Sequence, residues 1–136
     1  MAVNRTPVLS KVDFTRLQHI AAGLRRATGY ESRLHQVALL ELLDGAEIVD
    51  PDRVPGNVVT VGAEVAIRDL ERRDNTVYTF VWPHEADIRK LKVSVITPLG
   101  LSVLGRYVGE RVEFDTPGGR RRIRIAGVVR PSEGVA

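Results

Sequence analysis

Two periodicities divide this chain. Between residues 13 and 44 apolar side chains recur every three or four positions, and beyond residue 58 they recur every second one. Phe14, Leu17, Ala21 and Leu24 form one stripe of a first helix. Asp13, placed to accept from free first-turn amides, is its expected N-cap. Arg25 and Arg26 sit where cations suit the C-terminal end of the helix dipole. Thr28-Gly29 interrupts the pattern, with Gly29 as a natural C-cap. A second helix is predicted over residues 31–43, carrying Leu34, Val37, Ala38, Leu39, Leu40, Leu42 and Leu43. It is apolar on one face at its start and nearly all round at its end, which implies a free tip and a buried root. So short a connection makes the pair an antiparallel helical hairpin.

Asp50-Pro51-Asp52-Arg53-Val54-Pro55-Gly56-Asn57 reads as a linker, because two prolines cannot continue a helix. It divides the chain into residues 1–49, a tail and short helical arm, and residues 50–136, a second domain. Val59, Val61, Ala63, Val65 and Ile67 alternate as a half-buried strand. A second strand is expected over residues 76–82 after the Asp74-Asn75 turn, and a third at Leu91, Val93 and Val95. Thr97-Pro98 is an N-cap followed by a first-turn proline, opening a short helix that stops at Gly105. Val112 and Phe114 mark a fourth strand. Thr116-Pro117-Gly118-Gly119 suits a type II turn, and Ile123, Ile125 and Val129 a fifth strand with a bulge at Gly127. The fold class is therefore α+β: a short antiparallel helical hairpin, then an antiparallel sheet with one short helix.

Composition narrows the chemistry. The 136 residues contain no cysteine, which removes disulfides, thiol catalysis and cysteine-ligated zinc. No run of about 18 apolar residues occurs, so no membrane partner and a cytoplasmic location are expected. The net charge of +3, from 20 basic and 17 acidic side chains, is too small to argue for nucleic acid by itself. His19, His35 and His84 are spaced without convergent partners, so neither a metal site nor a cofactor is expected. Ser94, Ser102, His84 and Asp87 lack the glycine pattern of a nucleophile elbow. Gly100, Gly105 and Gly109 fit no phosphate loop. The strongest cluster is Arg120-Arg121-Arg122-Ile123-Arg124, in which Arg122 and Arg124 share one strand face and the isoleucines take the other. It is either a patch for an anionic partner or a charged, solvated sheet face.

Ser94-Val95-Ile96-Thr97-Pro98-Leu99-Gly100-Leu101-Ser102-Val103-Leu104-Gly105, continued by Val108-Gly109-Glu110, resembles the C-terminal signature of the bacterial transcript-cleavage factors GreA and GreB. Thr97 stands where that signature has its second serine and keeps the hydroxyl. Val59-Thr60-Val61-Gly62-Ala63, Tyr78-Thr79-Phe80-Val81-Trp82-Pro83, His84-Glu85-Ala86-Asp87 and Pro117-Gly118-Gly119 resemble further family segments in the same order. The resemblance spans about residues 55–131 and implies an FKBP-like twisted antiparallel sheet packed on a short helix.

It also implies a partner, RNA polymerase, bound at the rim of its secondary channel through Ser94, Thr97, Pro98 and Leu99. Cleavage factors carry acidic residues at the tip of a long coiled-coil arm, where carboxylates help hold magnesium. Here the tip is Ala27-Thr28-Gly29-Tyr30-Glu31, with Glu31 its one carboxylate on a short arm. The short arm, Asp13-Phe14-Thr15-Arg16-Leu17 and Val54-Pro55 resemble the Rnk branch. Rnk-like proteins compete with Gre factors without cleaving transcript, so the expectation is a regulator and not an enzyme. Nucleic acid would then be met only indirectly, through the transcription complex. Two alternatives stay open: a prolyl isomerase or chaperone using the FKBP-like fold, and a direct nucleic-acid binder using the arginine strand. Homodimerisation through the leucine-rich hairpin root is a further one.

Overall fold

The computed structural model describes residues 5–24, 26, 29–116 and 118–131; side chains are described for all of these except residues 30–32. Strand β1 (Val8–Ser10) leads directly into helix α1 (Lys11–Leu24), and helix α2 (Tyr30–Gly45) returns antiparallel to it. Strand β2 (Glu47–Val49) follows and pairs parallel with β1. This two-stranded ribbon at the hairpin root has no counterpart in the sequence reading. Helix α1 begins before Asp13, and its cap is Ser10, whose Oγ accepts from the Asp13 amide at 3.1 Å. Asp13, expected as the cap, instead lies within the first turn, half-buried against the rest of the chain. Gly29 stands ahead of α2 with φ +112°, and residues 27 and 28 lie outside the described part.

The second sheet contains β3 (Glu64–Asp69), β4 (Asn75–Val81), β5 (Lys92–Ser94), β6 (Arg111–Thr116) and β7 (Gly119–Val129), in the order β5-β4-β3-β7-β6. Its pairings are antiparallel except that of β4 with β5, which is parallel. The first strand of this sheet starts later than the alternation predicts. Val58 and Val59 are drawn onto the segment after the short helix: the Val59 amide donates to the Arg106 carbonyl, and the Gly105 amide to that of Val59. Opposite Ala66 and Ile67 the register skips one residue, which places the expected bulge at Ala126 beside Gly127. Pro117, in the expected hairpin turn, lies outside the described residues.

Helix α3 (Pro98–Val103) packs on the sheet and completes the core. Leu17, Leu39, Leu42 and Leu9 from the hairpin and β1 share one cluster with Val65, Phe80, Val95, Leu101, Leu104 and Ile125. The hairpin root is thus embedded in the same apolar interior as the sheet. Towards the tip the cover ends, and Leu34, Val37 and Leu40 stand 47%, 55% and 41% exposed. Gly105 fixes the join: its φ is +81°, and a Cβ there would meet the Val8 carbonyl at 2.9 Å. That space lets the Val8 amide donate to the Gly105 carbonyl at 3.0 Å. Polar ties reinforce it. The Arg16 guanidinium lies 4.4 Å from the Trp82 ring centroid, and Lys11 reaches Asp50 at 2.8 Å.

Candidate functional site

The segment joining β5 to α3 is held by a nest of short-range bonds. Ser94 Oγ accepts from the Ile96 amide at 3.1 Å. Thr97 Oγ1 donates to the Ser94 carbonyl at 2.7 Å and accepts from the Gly100 amide at 3.1 Å. Thr97 is therefore the helix cap, with Pro98 in the first turn where a missing N–H costs nothing. Gly100 permits the tight junction: a Cβ on it would lie 2.6 Å from both the Ser94 carbonyl oxygen and Val95 Cα. Ser94, Thr97, Pro98 and Leu99 are thus one rigid corner, each half-buried.

Two concavities meet at this corner. Leu99 lines a recess of about 280 Å³ on the inner face of the sheet, with Ile67, Tyr78, Phe114 and Ile123. Asp69 and Arg121 join across its polar side as an ion pair. Asp69 also accepts from the Glu71 and Arg72 amides, at 2.9 Å each. The Arg72 amide above all holds the Asp69 carboxyl below its ordinary value; desolvation opposes it, and Glu71 and Arg121 add to it. A recess this small and open is below the size of most small-molecule pockets, and suits a docked side chain. Pro98 faces the other way, onto a wide groove of about 1490 Å³ between α2 and the free edge of β6. Leu34, Val37 and Ala38 line its helical wall.

The arginine run does not form one patch. Arg120 pairs with Glu113 at 2.9 Å and approaches Asp115 at 3.7 Å. Arg121 turns inward to Asp69, and Arg122 lies 3.6 Å from Glu71 on the outer side. Arg124 is outward and exposed, on the face of Arg122. At the arm tip the side chains of Tyr30 and Glu31 lie outside the described residues. Among the described residues no three His, Asp or Glu side chains converge as a metal site. His19 and His84 are exposed and His35 is half-buried.

Sequence reasoning passed over Asp69, and it placed Tyr78 and Phe114 on strands without joining them to Leu99. Asp69 did leave a signal, since it continues the inward parity of Val65 and Ile67. A carboxylate at such a position needs amides or a cation to meet it.

A family model for the GreA/GreB transcription elongation factor C-terminal domain matches residues 54–130, which include the whole corner. The transcription elongation factor GreA of Acidiphilium cryptum is 38% identical over 90 residues, which are 66% of this chain and 57% of that protein. That of Rhodospirillum rubrum is 32% identical over 100 residues, 74% of this chain and 62% of the relative. The chain thus spans about three fifths of the length of these curated relatives. A solved structure, the prokaryotic transcription elongation factor GreA/GreB from Nitrosomonas europaea, superposes with a TM-score of 0.69 at 29% identity. That match covers 90% of this chain and 98% of the other. By the extent of the family match, the chain belongs to the GreA/GreB transcription elongation factor family.

Proposed function

We propose that this protein is a non-enzymatic transcription regulator that binds RNA polymerase through the corner at Ser94, Thr97, Pro98 and Leu99. The observation that carries the proposal is the rigid Pro98-Leu99 shelf inside the matched family segment, flanked by a small recess that is apolar on one side and polar on the other. A preformed shelf binds without the entropy cost of ordering a loop. The docking place is the rim of the secondary channel, where the protein competes with Gre factors.

Its helices of 14 and 16 residues extend about 21 and 24 Å at 1.5 Å per residue. An arm of that length, with Glu31 as the one tip carboxylate, supports membership of the Rnk branch and an absence of transcript cleavage. The test is competition on core RNA polymerase between the purified protein and a cleavage-competent Gre factor. Mutual displacement is expected, weakened at least tenfold, about 1.4 kcal/mol, by Leu99→Asp. A backtracked complex should keep its transcript uncut. Binding unaffected by Leu99→Asp and Pro98→Ala would remove the corner from the interface.

A further inference from the structure

The large sheet ends in two unlike edges. β5 is 3 residues long, and so short an edge is its own protection. β6 runs 6 residues without proline, in unbroken register with β7. The Glu110 carbonyl accepts from the Ile125 amide at 3.0 Å, so by alternation Val112 and Phe114 turn their backbone groups towards β7. Arg122, opposite Glu113, spends its carbonyl on the Leu70 amide, on the far side of β7. Glu113 and Asp115 therefore direct their N–H and C=O groups out of the sheet, to the free edge.

The wide groove lies along that edge. Its volume of about 1490 Å³ exceeds the usual range of small-molecule pockets and suits a segment of chain. One wall is β6, with Val112 and Phe114 on the inner side. The other is α2, whose Leu39 and Leu42 are buried in the shared core while Leu34 and Val37 stand exposed. Pro98 and Leu101 of α3 also line it. An occupant must offer backbone groups to the edge and apolar side chains to the inner side.

We propose that the occupant is β6 of a second copy of this chain, antiparallel to the first about a two-fold axis at Glu113. The strand is self-complementary in that register. Glu113 meets its own copy, and because its backbone groups face the edge the two form a hydrogen-bonded pair. Val112 falls opposite Phe114 of the copy and Phe114 opposite Val112, so both inner pairs are apolar and lie beside the Leu34 and Val37 wall. The facing Glu113 carboxylates are each held by Arg120 of their own chain at 2.9 Å. Other registers fail. A slip of one residue sets inner side chains against outer ones. A slip of two sets Glu113 against Asp115 twice in one direction, and Phe114 against Glu110 in the other. Charge at an edge ordinarily repels any added strand, and here it leaves one pairing open. The contact is isologous, so it closes at two chains. Self-association needs nothing from the polymerase reading; on that reading, Pro98 in the groove makes the dimer and the docked protein alternatives.

The experiment is sedimentation of the intact protein over a concentration series, with cysteine cross-linking to read the register. A reversible rise to the mass of two chains is expected. Glu113→Pro removes an N–H that points away from β7, which an edge strand tolerates, so it should melt close to the parent and lose the dimer. Val37→Glu, an exposed change on α2, should weaken association by about tenfold or more through the helical wall. It decides the matter should the proline variant fail to fold. The chain has no cysteine of its own, so single cysteines report without interference. Across the axis the two Glu113 Cα atoms stand about 5.5 Å apart, within disulfide range, so Glu113→Cys should cross-link on mild oxidation. Asp115→Cys should not, because the two copies of that position lie about 13 Å apart. A single-chain mass at every concentration, a dimer that survives both Glu113→Pro and Val37→Glu, or equal cross-linking of the two cysteine variants would each overturn the proposal.

Discussion

Gly100 stands so close to Val95 that a Cβ on it would lie 2.6 Å from the Val95 Cα and 2.7 Å from its carbonyl oxygen. Both are backbone atoms, which cannot rotate away as a flexible side chain would. Gly100→Ala should therefore push α3 off the end of β5, although alanine is the better helix former. Overpacking of this kind costs about 1–3 kcal/mol. Urea denaturation should show that loss as a lower midpoint at unchanged slope. Because the displaced helix carries Leu99, polymerase affinity should fall with it. A variant as stable as the parent would mean that the corner yields without strain.

Asp69 and Asp13 should give pH dependences of opposite sign. Asp69 is held below its ordinary value, chiefly by the Arg72 amide. Its charged form therefore favours folding above the unfolded carboxylate value of about 3.9, and that contribution is lost as pH falls through the lowered folded value. Asp13 is shifted the other way by burial, against the Val61 amide, the Ser10 hydroxyl and Arg16. Its native form binds protons more readily than its unfolded form, so its charge costs stability as pH rises through the raised folded value. Asp69→Asn should then lower the urea midpoint at neutral pH, and Asp13→Asn should hold or raise it. Both differences should shrink below pH of about 4. Shifts of the same sign in the two variants would contradict this assignment.

The sequence displayed the hairpin, the short helix and the Arg122/Arg124 face because each rests on local periodicity or a single cap. Thr97, Pro98 and Gly105 each behave as their chemistry requires. What it concealed depends on distant partners. Val59 alternates like a strand residue, yet its carbonyl and amide are taken by Gly105 and Arg106 from a segment over forty residues away. Asp13 is a good cap by type, and Ser10 displaced it because β1 delivers the chain to the helix earlier. The recess was hidden for the same reason. Asp69 and Arg121 are 52 residues apart, and only the β3–β7 pairing brings them together.

Arg16 contributes to holding the arm against the sheet domain. Its guanidinium covers the Trp82 ring at 4.4 Å, and Trp82 is itself 8% exposed. Arg16→Ala should cost about 0.5–1 kcal/mol, the range for an exposed cation–π contact. Arg16→Lys should recover part of it. Trp82 is the chain's single tryptophan, so its emission gives a direct readout. A change in emission maximum without a change in stability would show a contact that is present but energetically neutral.

Leu39 tests whether the arm and the sheet unfold together. It lies on α2, fully buried, in the same cluster as Phe80 and Ile125. Leu39→Ala removes apolar contacts and leaves a cavity, at a cost of about 2–5 kcal/mol. If the shared core makes one cooperative unit, the cost falls on the whole chain. Trp82 emission, which reports on the sheet domain, and far-ultraviolet circular dichroism, dominated by α1 and α2, should then shift by the same amount in urea. An arm that melted by itself would separate the two curves, with most of the dichroism lost in a first step and the emission changing there only as far as Trp82 loses its Arg16 cover. Coincidence would mean that the hairpin root is a structural part of the domain whose corner it abuts. Polymerase contacts at Leu99 would then respond to changes at Leu39 through loss of fold rather than through the arm tip.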